Sequence, residues 1–406
     1  MSASPFADIE LAPRDPILGL SESFNADSRA AKVNLGVGVY TDDEGSVPLL
    51  RAVREAEKVR VDAALPRGYL PIDGIAAYDK AVQQLLLGPN SPLLAAGRVI
   101  TAQALGGTGA LKIGADFLKR FSPSSEVFIS EPSWENHRAL FEGAGFSVST
   151  YPYYDARTRD LDWNGLADRL RKAASRSIVV LHACCHNPTG VDLSPEQWRE
   201  IVGVCKRRDL IVFLDIAYQG FADGLEPDRA AVQLFADSGV TFFIASSFSK
   251  SFSLYGERVG ALTIVTGEKD EAARVLSQLK RVIRANYSNP PTHGGAVVAA
   301  VLTDLRLREL WESELSEMRE RIKRMRRGFV DGLVARGIDA DFSFVLRQRG
   351  MFSYSGLSAA QVQALRDEFG IYAVSSGRIC VAALNSKNLD YVCDAVTSVA
   401  RQAARI

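Results

Sequence analysis

The chain has 406 residues, 47% hydrophobic and 24% charged, with 48 basic side chains balancing 48 acidic ones. That length supports a large domain plus a smaller one around a sizeable core. Net neutrality gives no support to nucleic-acid or anionic-membrane binding, and no apolar run approaches the ~20 residues needed to span a bilayer.

In chain order, Met1 to Glu10 holds two acids, no basic residue and no apolar segment. This is neither a secretory signal nor a mitochondrial transit peptide, and a cytoplasmic protein is expected. Residues 1–14 read as an extended arm, of a kind that packs on a neighbouring subunit or stays disordered. In the middle, strand-like runs (Glu126–Ser130, Ser177–His182, Leu210–Asp215, Val240–Ala245, Val259–Thr266) alternate with helical patterns (Gly109–Arg120, Trp134–Ala144, Gly165–Ala174, Pro195–Arg208). That order predicts an α/β fold with a mostly parallel central sheet covered by helices on both faces. After about residue 305 the pattern changes. A long charged helix from Arg308 to about Arg336 precedes strands at Phe342–Arg347 and Met351–Ser355, a helix at Ala359–Phe369, a strand at Ile379–Leu384 and a closing helix from Leu389. This predicts a smaller α+β domain.

The five cysteines (Cys184, Cys185, Cys205, Cys380, Cys393) are odd in number and form no CxxC. Buried reduced thiols are expected rather than disulfides or zinc. His182 and His186 have a metal-binding spacing for a helix, but they follow a strand, and no metal site is expected.

Chemistry concentrates where strands end. Ser246-Ser247-Phe248-Ser249-Lys250 closes the strand Val240–Ala245, and Arg258 follows eight residues later. A partly buried lysine beside a cation has a lowered pKa and is suited to Schiff-base formation. Ser247, Ser249 and Arg258 are groups that hold a phosphate, and lysine plus phosphate site suggests pyridoxal phosphate; a surface lysine is the plain alternative. Gly106-Gly107-Thr108-Gly109 opens a helix whose free amides suit a phosphate. It fits neither the dinucleotide fingerprint nor a P-loop, and is equally readable as a tight turn.

Asp215 ends the buried strand Leu210–Asp215, the edge where ligands sit in open α/β sheets. It would be satisfied by a protonated ring nitrogen, or by a helix cap or ion pair. Tyr218, three residues on, could hydrogen-bond a phenolate oxygen. Asn187-Pro188-Thr189-Gly190 is otherwise an ordinary turn. Arg378, at the start of an apolar strand, suits a substrate carboxylate, or is a surface arginine.

Taken together, Asn187-Pro188-Thr189-Gly190, Asp215-Ile216-Ala217-Tyr218, Ser247-Phe248-Ser249-Lys250, Gly256-Glu257-Arg258-Val259-Gly260 and Gly377-Arg378 resemble, in order and spacing, the class I aminotransferases. These are fold-type-I pyridoxal-phosphate enzymes. Asp15 to Leu20, Val33 to Tyr40, Pro132 to His137, Ala285 to Pro291 and Arg349 to Tyr354 extend the resemblance to the aspartate/aromatic subgroup over nearly the whole chain, most of all to bacterial aromatic-amino-acid (tyrosine) aminotransferases. The resemblance implies an arm over 1–14, a small domain over 15–45 and 306–406, and a large cofactor-binding domain over 46–305.

It also implies roles. Lys250 forms the Schiff base and moves the proton, Asp215 pairs with the ring nitrogen, and Asn187 and Tyr218 bind the ring oxygen. Gly107, Thr108, Ser247, Ser249 and Arg258 hold the phosphate, with Tyr69 lent by the other subunit. Trp134 stacks on the ring. Arg378 and the Gly38 amide bind the substrate α-carboxylate, and Arg284 of the second subunit meets a distal carboxylate. The implied protein is a homodimer with shared sites, moving amino groups from tyrosine, phenylalanine and also aspartate to 2-oxoglutarate in two half-reactions. Leu105 to Gly107, Ser133 to His137, Ser253 to Arg258, Gly350 to Leu357 and Val47 look like the aromatic branch, whereas Val39, Thr108 and Asn289 look like the aspartate branch. An aspartate aminotransferase is the alternative. A nicotinamide dehydrogenase lacks its fingerprint here, and a non-catalytic binder need not keep the lysine.

Overall fold

The computed structural model describes residues 4–15 and 17–403. The first three residues of the expected arm, Pro16 and the last three residues of the expected small domain lie outside the described residues. Residues 4–15 are exposed and carry Phe6, Ile9 and Leu11 at the surface.

A seven-stranded sheet forms the centre. Its strands, in chain order, are β1 (Val99–Leu105), β2 (Val127–Glu131), β3 (Val148–Pro152), β4 (Ile178–His182), β5 (Ile211–Ile216), β6 (Phe242–Ser247) and β7 (Val259–Val265). They lie side by side in the order β1-β7-β6-β5-β4-β2-β3. β7 runs antiparallel to both β1 and β6, and the other pairings are parallel. The inner strands β4 to β7 read as largely apolar runs because both faces are covered. In β4, Val179 and Leu181 join one core while Ile178 and Val180 join the other; β5 divides Val212 and Leu214 from Phe213 in the same way. That alternation is the two-residue period of a strand.

Helices cross over between the parallel strands. The helix Pro195–Arg208 begins with a reciprocal Ser194–Gln197 capping box and Pro195 in its first turn, and ends on Asp209 in the left-handed region. The helix Trp163–Arg171 starts two residues earlier than expected, because Asp162 caps it by accepting from Gly165 N. After residue 304 the long helix Leu305–Ala335 packs on the closing helix Leu389–Ala403. Phe352–Tyr354 pairs antiparallel with Arg378–Cys380, and Val33–Asn34 joins Ile371–Tyr372 in parallel. The N-terminal segment is thereby brought onto the C-terminal part.

Two expected strands are corrected. Ser343–Arg347 is a 3-10 turn, and the strand at Arg378–Cys380 gives way to a 3-10 turn over Val381–Ala383. Both runs are apolar because they are buried, not because they pair. The reading also passed over β1 and the helices Arg51–Asp62, Ala76–Leu87, Lys269–Asn286 and Thr292–Thr303.

Candidate active site

The topology gathers the functional side chains at one edge. Trp134 follows β2, Asn187 follows β4, Asp215 is the penultimate residue of β5 and Lys250 follows β6. Gly107 and Thr108 follow β1 directly, and Arg258 immediately precedes β7, whose reversed direction starts it at this same edge. These residues line a cavity of about 190 Å³, closed from the other side by Gly38, Phe352 and Arg378.

One end of the cavity is built for an anion. The helix Gly106–Phe121 begins without a side-chain cap, so its first amides are free. The approach is close: a Cβ on Gly106 (φ +69°) would lie 2.7 Å from an Arg258 guanidinium nitrogen, and one on Gly260 would lie 2.4 Å from the Gly106 carbonyl carbon. Only glycine permits that contact. Arg258, itself at φ +56°, donates to Ser249 Oγ (3.3 Å) and to the Tyr255 carbonyl (2.9 Å), with no carboxylate partner among the described residues. Ser247 Oγ accepts from Ser249 N at 3.3 Å.

At the middle, Asp215 is buried, and its Oδ2 lies 2.9 Å from His137 Nε2. Burial pushes its carboxyl up, but the His137 hydrogen bond and the charges of His137, His182 and Lys250 outweigh that and hold it below the usual value. An ionised carboxylate only accepts, so His137 Nε2 donates, and its Nδ1, 2.9 Å away, faces Ser133 Oγ. His182 is buried with both ring nitrogens unpartnered; burial first, then the neighbouring His186 and His137, keep it neutral. His137, His182 and Asp215 bring ligand atoms within 4.8 Å of one another, but both nitrogens of His137 are already engaged. The five cysteines are buried free thiols.

Lys250 Nζ lies 5.3 Å from the centre of the Tyr218 ring. Burial lowers its pKa to about 8, assisted by Arg258 and Arg378 and opposed by Asp215. At pH 7 about a tenth of such an amine is unprotonated, far more than of an ordinary lysine, which makes it the better nucleophile. Tyr218 is buried, and burial raises its phenol above the usual range, although Arg378 opposes this.

Arg378 is 1% exposed. It donates to Asn187 Oδ1 (3.1 Å) and the Gly36 carbonyl (2.6 Å), rests 4.3 Å from the centre of the Phe352 ring, and leaves Nε without a partner. No carboxylate of the described residues meets it. A buried guanidinium without a counter-charge is costly unless a ligand supplies one.

Twelve of the expected site residues are thus brought together. Two are not: Tyr69 is 96% exposed, and Arg284 stands exposed beside Ser288, both outside the cavity of a single chain. His137, His182, Tyr255 and Phe352 had been given no role from the sequence. The Trp134–His137 spacing on the turn into a helix was the one local signal for His137.

The fold and site define a lysine-centred enzyme with an anion cradle and a carboxylate clamp. Residues 30–396 match the family model of class I and II aminotransferases. The chain is 65% identical to an aspartate aminotransferase of Pseudomonas aeruginosa, covering 98% of this chain and all of that one. It is 68% identical (TM-score 0.96; 98% and 100% covered) to an aromatic-amino-acid aminotransferase from Burkholderia pseudomallei, solved covalently bound to pyridoxal phosphate. An aromatic amino acid aminotransferase from Psychrobacter, cocrystallised with aspartic acid, is 45% identical (TM-score 0.95; 97% and 99% covered). The chain belongs to the class I and II aminotransferases and is a pyridoxal-phosphate-dependent transaminase. Its residues fit that cofactor: the uncapped helix start and unpaired Arg258 suit a phosphate, the ionised Asp215 suits a ring nitrogen, and Lys250 suits an aldehyde.

Proposed function

We propose that this transaminase takes tyrosine and phenylalanine as amino donors, accepts aspartate as well, and passes the amino group to 2-oxoglutarate. The observation that carries this reading is the asymmetry of the cavity. It has one buried carboxylate clamp, Arg378, while its remaining walls include Ile17, Trp134 and Phe352, and Arg284 stands outside it. Such walls suit an aromatic ring. A dicarboxylate needs a second cation, which Arg284 of a second chain would provide. The similar chains are named for both activities, and the Psychrobacter enzyme was cocrystallised with aspartic acid. An aspartate-selective enzyme is the second reading, favoured by the 65% identity to the Pseudomonas chain.

Pyridoxal phosphate supplies the electron sink that stabilises the carbanion left when the amino acid loses its α-proton. The chain's residues do the rest. Arg258, Ser247, Ser249 and the amides of Gly107 and Thr108 hold the phosphate, with Tyr69 from the other subunit. Trp134 covers the ring face, Asn187 and Tyr218 hold its oxygen, and Asp215, fixed by His137, holds its nitrogen. Arg378 and the Gly38 amide grip the α-carboxylate. With the cofactor bound, Lys250 Nζ would accept the proton from the α-carbon and return one to the α-carbon of the oxo acid in the opposite half-reaction.

The assembly we propose is a homodimer with two shared sites, each subunit having the arm, small and large domains outlined above. A cytoplasmic setting suits five free thiols; among the described residues no helix is long and apolar enough to cross a membrane. The test is kcat/KM for tyrosine, phenylalanine and aspartate with 2-oxoglutarate. Comparable values support the reading. An aspartate value above both aromatics by more than about a hundredfold, roughly 2.7 kcal/mol, contradicts it.

A further inference from the structure

The segment 35–40, which carries Gly38, is held from one side by the C-terminal part. Arg378 donates to the Gly36 carbonyl (2.6 Å), Cys380 N to the Leu35 carbonyl (2.8 Å) and Cys380 Sγ to the Val39 carbonyl (3.6 Å). A Cβ on Gly38 would lie 2.6 Å from the Phe352 ring, so the backbone is seated hard against it. Towards residues 46–304, one hydrogen bond among the described residues reaches this segment: Tyr40 N donates to the Tyr255 hydroxyl at 2.9 Å.

Tyr255 stands five residues after Lys250 and lines the same cavity. Its carbonyl accepts from Arg258 at 2.9 Å. One residue therefore touches the loop bearing the amine, the arginine of the anion cradle and the segment that grips the substrate. The Gly38 amide and Lys250 Nζ belong to different parts of the fold, and a shift between them displaces the α-carbon from the amine. Such misplacement by about 1 Å can cost about a hundredfold in rate.

We propose that the Tyr255 hydroxyl is a positioning group that fixes the Gly38 segment relative to Lys250; this rests on the aminotransferase reading above. Tyr255→Phe removes the hydroxyl and leaves the ring and the carbonyl contact to Arg258. In the holoenzyme, the variant is expected to exchange the Tyr40 amide at least about tenfold faster, as the loss of its hydrogen bond implies. KM for both the amino acid and the oxo acid should rise about five- to tenfold, the range of one neutral hydrogen bond. The cofactor absorbance, its pH dependence and the thermal midpoint should stay as in the parent. Binding of an unreactive dicarboxylate, read from the same absorbance, should weaken in step with KM. Unchanged Tyr40 exchange, or KM within about twofold, would overturn the assignment. So would a fall in thermal midpoint that accounts for the faster exchange. Turnover by the parent enzyme tests the aminotransferase reading separately. With parent turnover intact and Tyr40 exchange unaltered, only the role of Tyr255 falls.

Discussion

The cofactor edge and the mouth of the cavity contrast sharply. At the edge, one chain brings Lys250, Asp215, Asn187, Tyr218 and Arg258 to the ends of β4 to β7, with Asp215, Asn187 and Tyr218 buried, Lys250 half-buried and Arg258 exposed. Tyr69 and Arg284, by contrast, are exposed and line no part of the same chain's cavity. The strands β4 to β7 that carry the edge each pair on both sides. The mouth is unfinished in one chain, and a second copy completes it in the proposed dimer. The lysine and its buried partners are therefore written into one chain, whereas in the proposed dimer a second chain lends Tyr69 and the cation for a distal carboxylate.

The contrast can be broken in graded steps. Lys250→Ala strikes the edge directly and should lower kcat at least about 10⁴-fold for every donor, since both nucleophile and proton carrier are lost. The absorbance band of the bound cofactor should change with it. Residual turnover within about a hundredfold of the parent would show that another group moves the proton. Arg378→Leu should lower kcat/KM about 10²- to 10⁴-fold for aromatic and acidic substrates alike, as expected when one partner of a buried charge pair is removed at about 3–5 kcal/mol. A loss confined to one substrate class would move Arg378 from the common clamp to the specificity pocket.

Arg284→Leu addresses the mouth. Aspartate and glutamate should lose about a hundredfold in kcat/KM while tyrosine and phenylalanine change by less than about threefold, because only the former carry a distal charge to pair. Equal losses for both classes would remove the distinction between the two regions. The smallest effect is a matter of pH. In cofactor-free protein, Lys250 has a pKa lowered to about 8, so its unprotonated, reactive fraction is small below that pH and approaches completion above it. Acylation of this lysine, followed by peptide mass, should rise with pH and level off above a midpoint near 8. A midpoint near that of an ordinary lysine, about 10.4, would contradict the burial and charge environment described above.

Much of the edge was legible because its residues cluster in short runs at strand ends, where local pattern and chemistry coincide. Lys250 with Ser247 and Ser249, and Asp215 with Tyr218, fall within a few positions of one another. What escaped was long-range. His137 meets Asp215 across 78 positions, and Tyr40 meets Tyr255 across 215; no local spacing encodes either. β1 escaped for another reason. It buries Thr101 and Gln103, which interrupt the apolar run, and their partners lie far along the chain: Thr263 Oγ1 (2.8 Å) for Thr101, and the Pro291 carbonyl (2.8 Å) and Ile75 N (3.3 Å) for Gln103. At 342–347 the error ran the other way: Phe344 and Val345 are apolar and buried, yet the backbone turns instead of pairing.

The proposed dependence of substrate choice on two chains is tested most directly by mixing two crippled forms. Lys250→Ala lacks the amine but keeps Arg284, and Arg284→Leu keeps the amine but lacks the distal cation. Unfolded together in equal amounts and refolded, half of the dimers should be mixed, and each should hold one site with both groups intact. Aspartate turnover should then recover to about one quarter of the parent level, as the statistics of a two-fold dimer require. Aspartate turnover no greater than that of the two variants assayed separately would show that Arg284 serves its own chain's site or none.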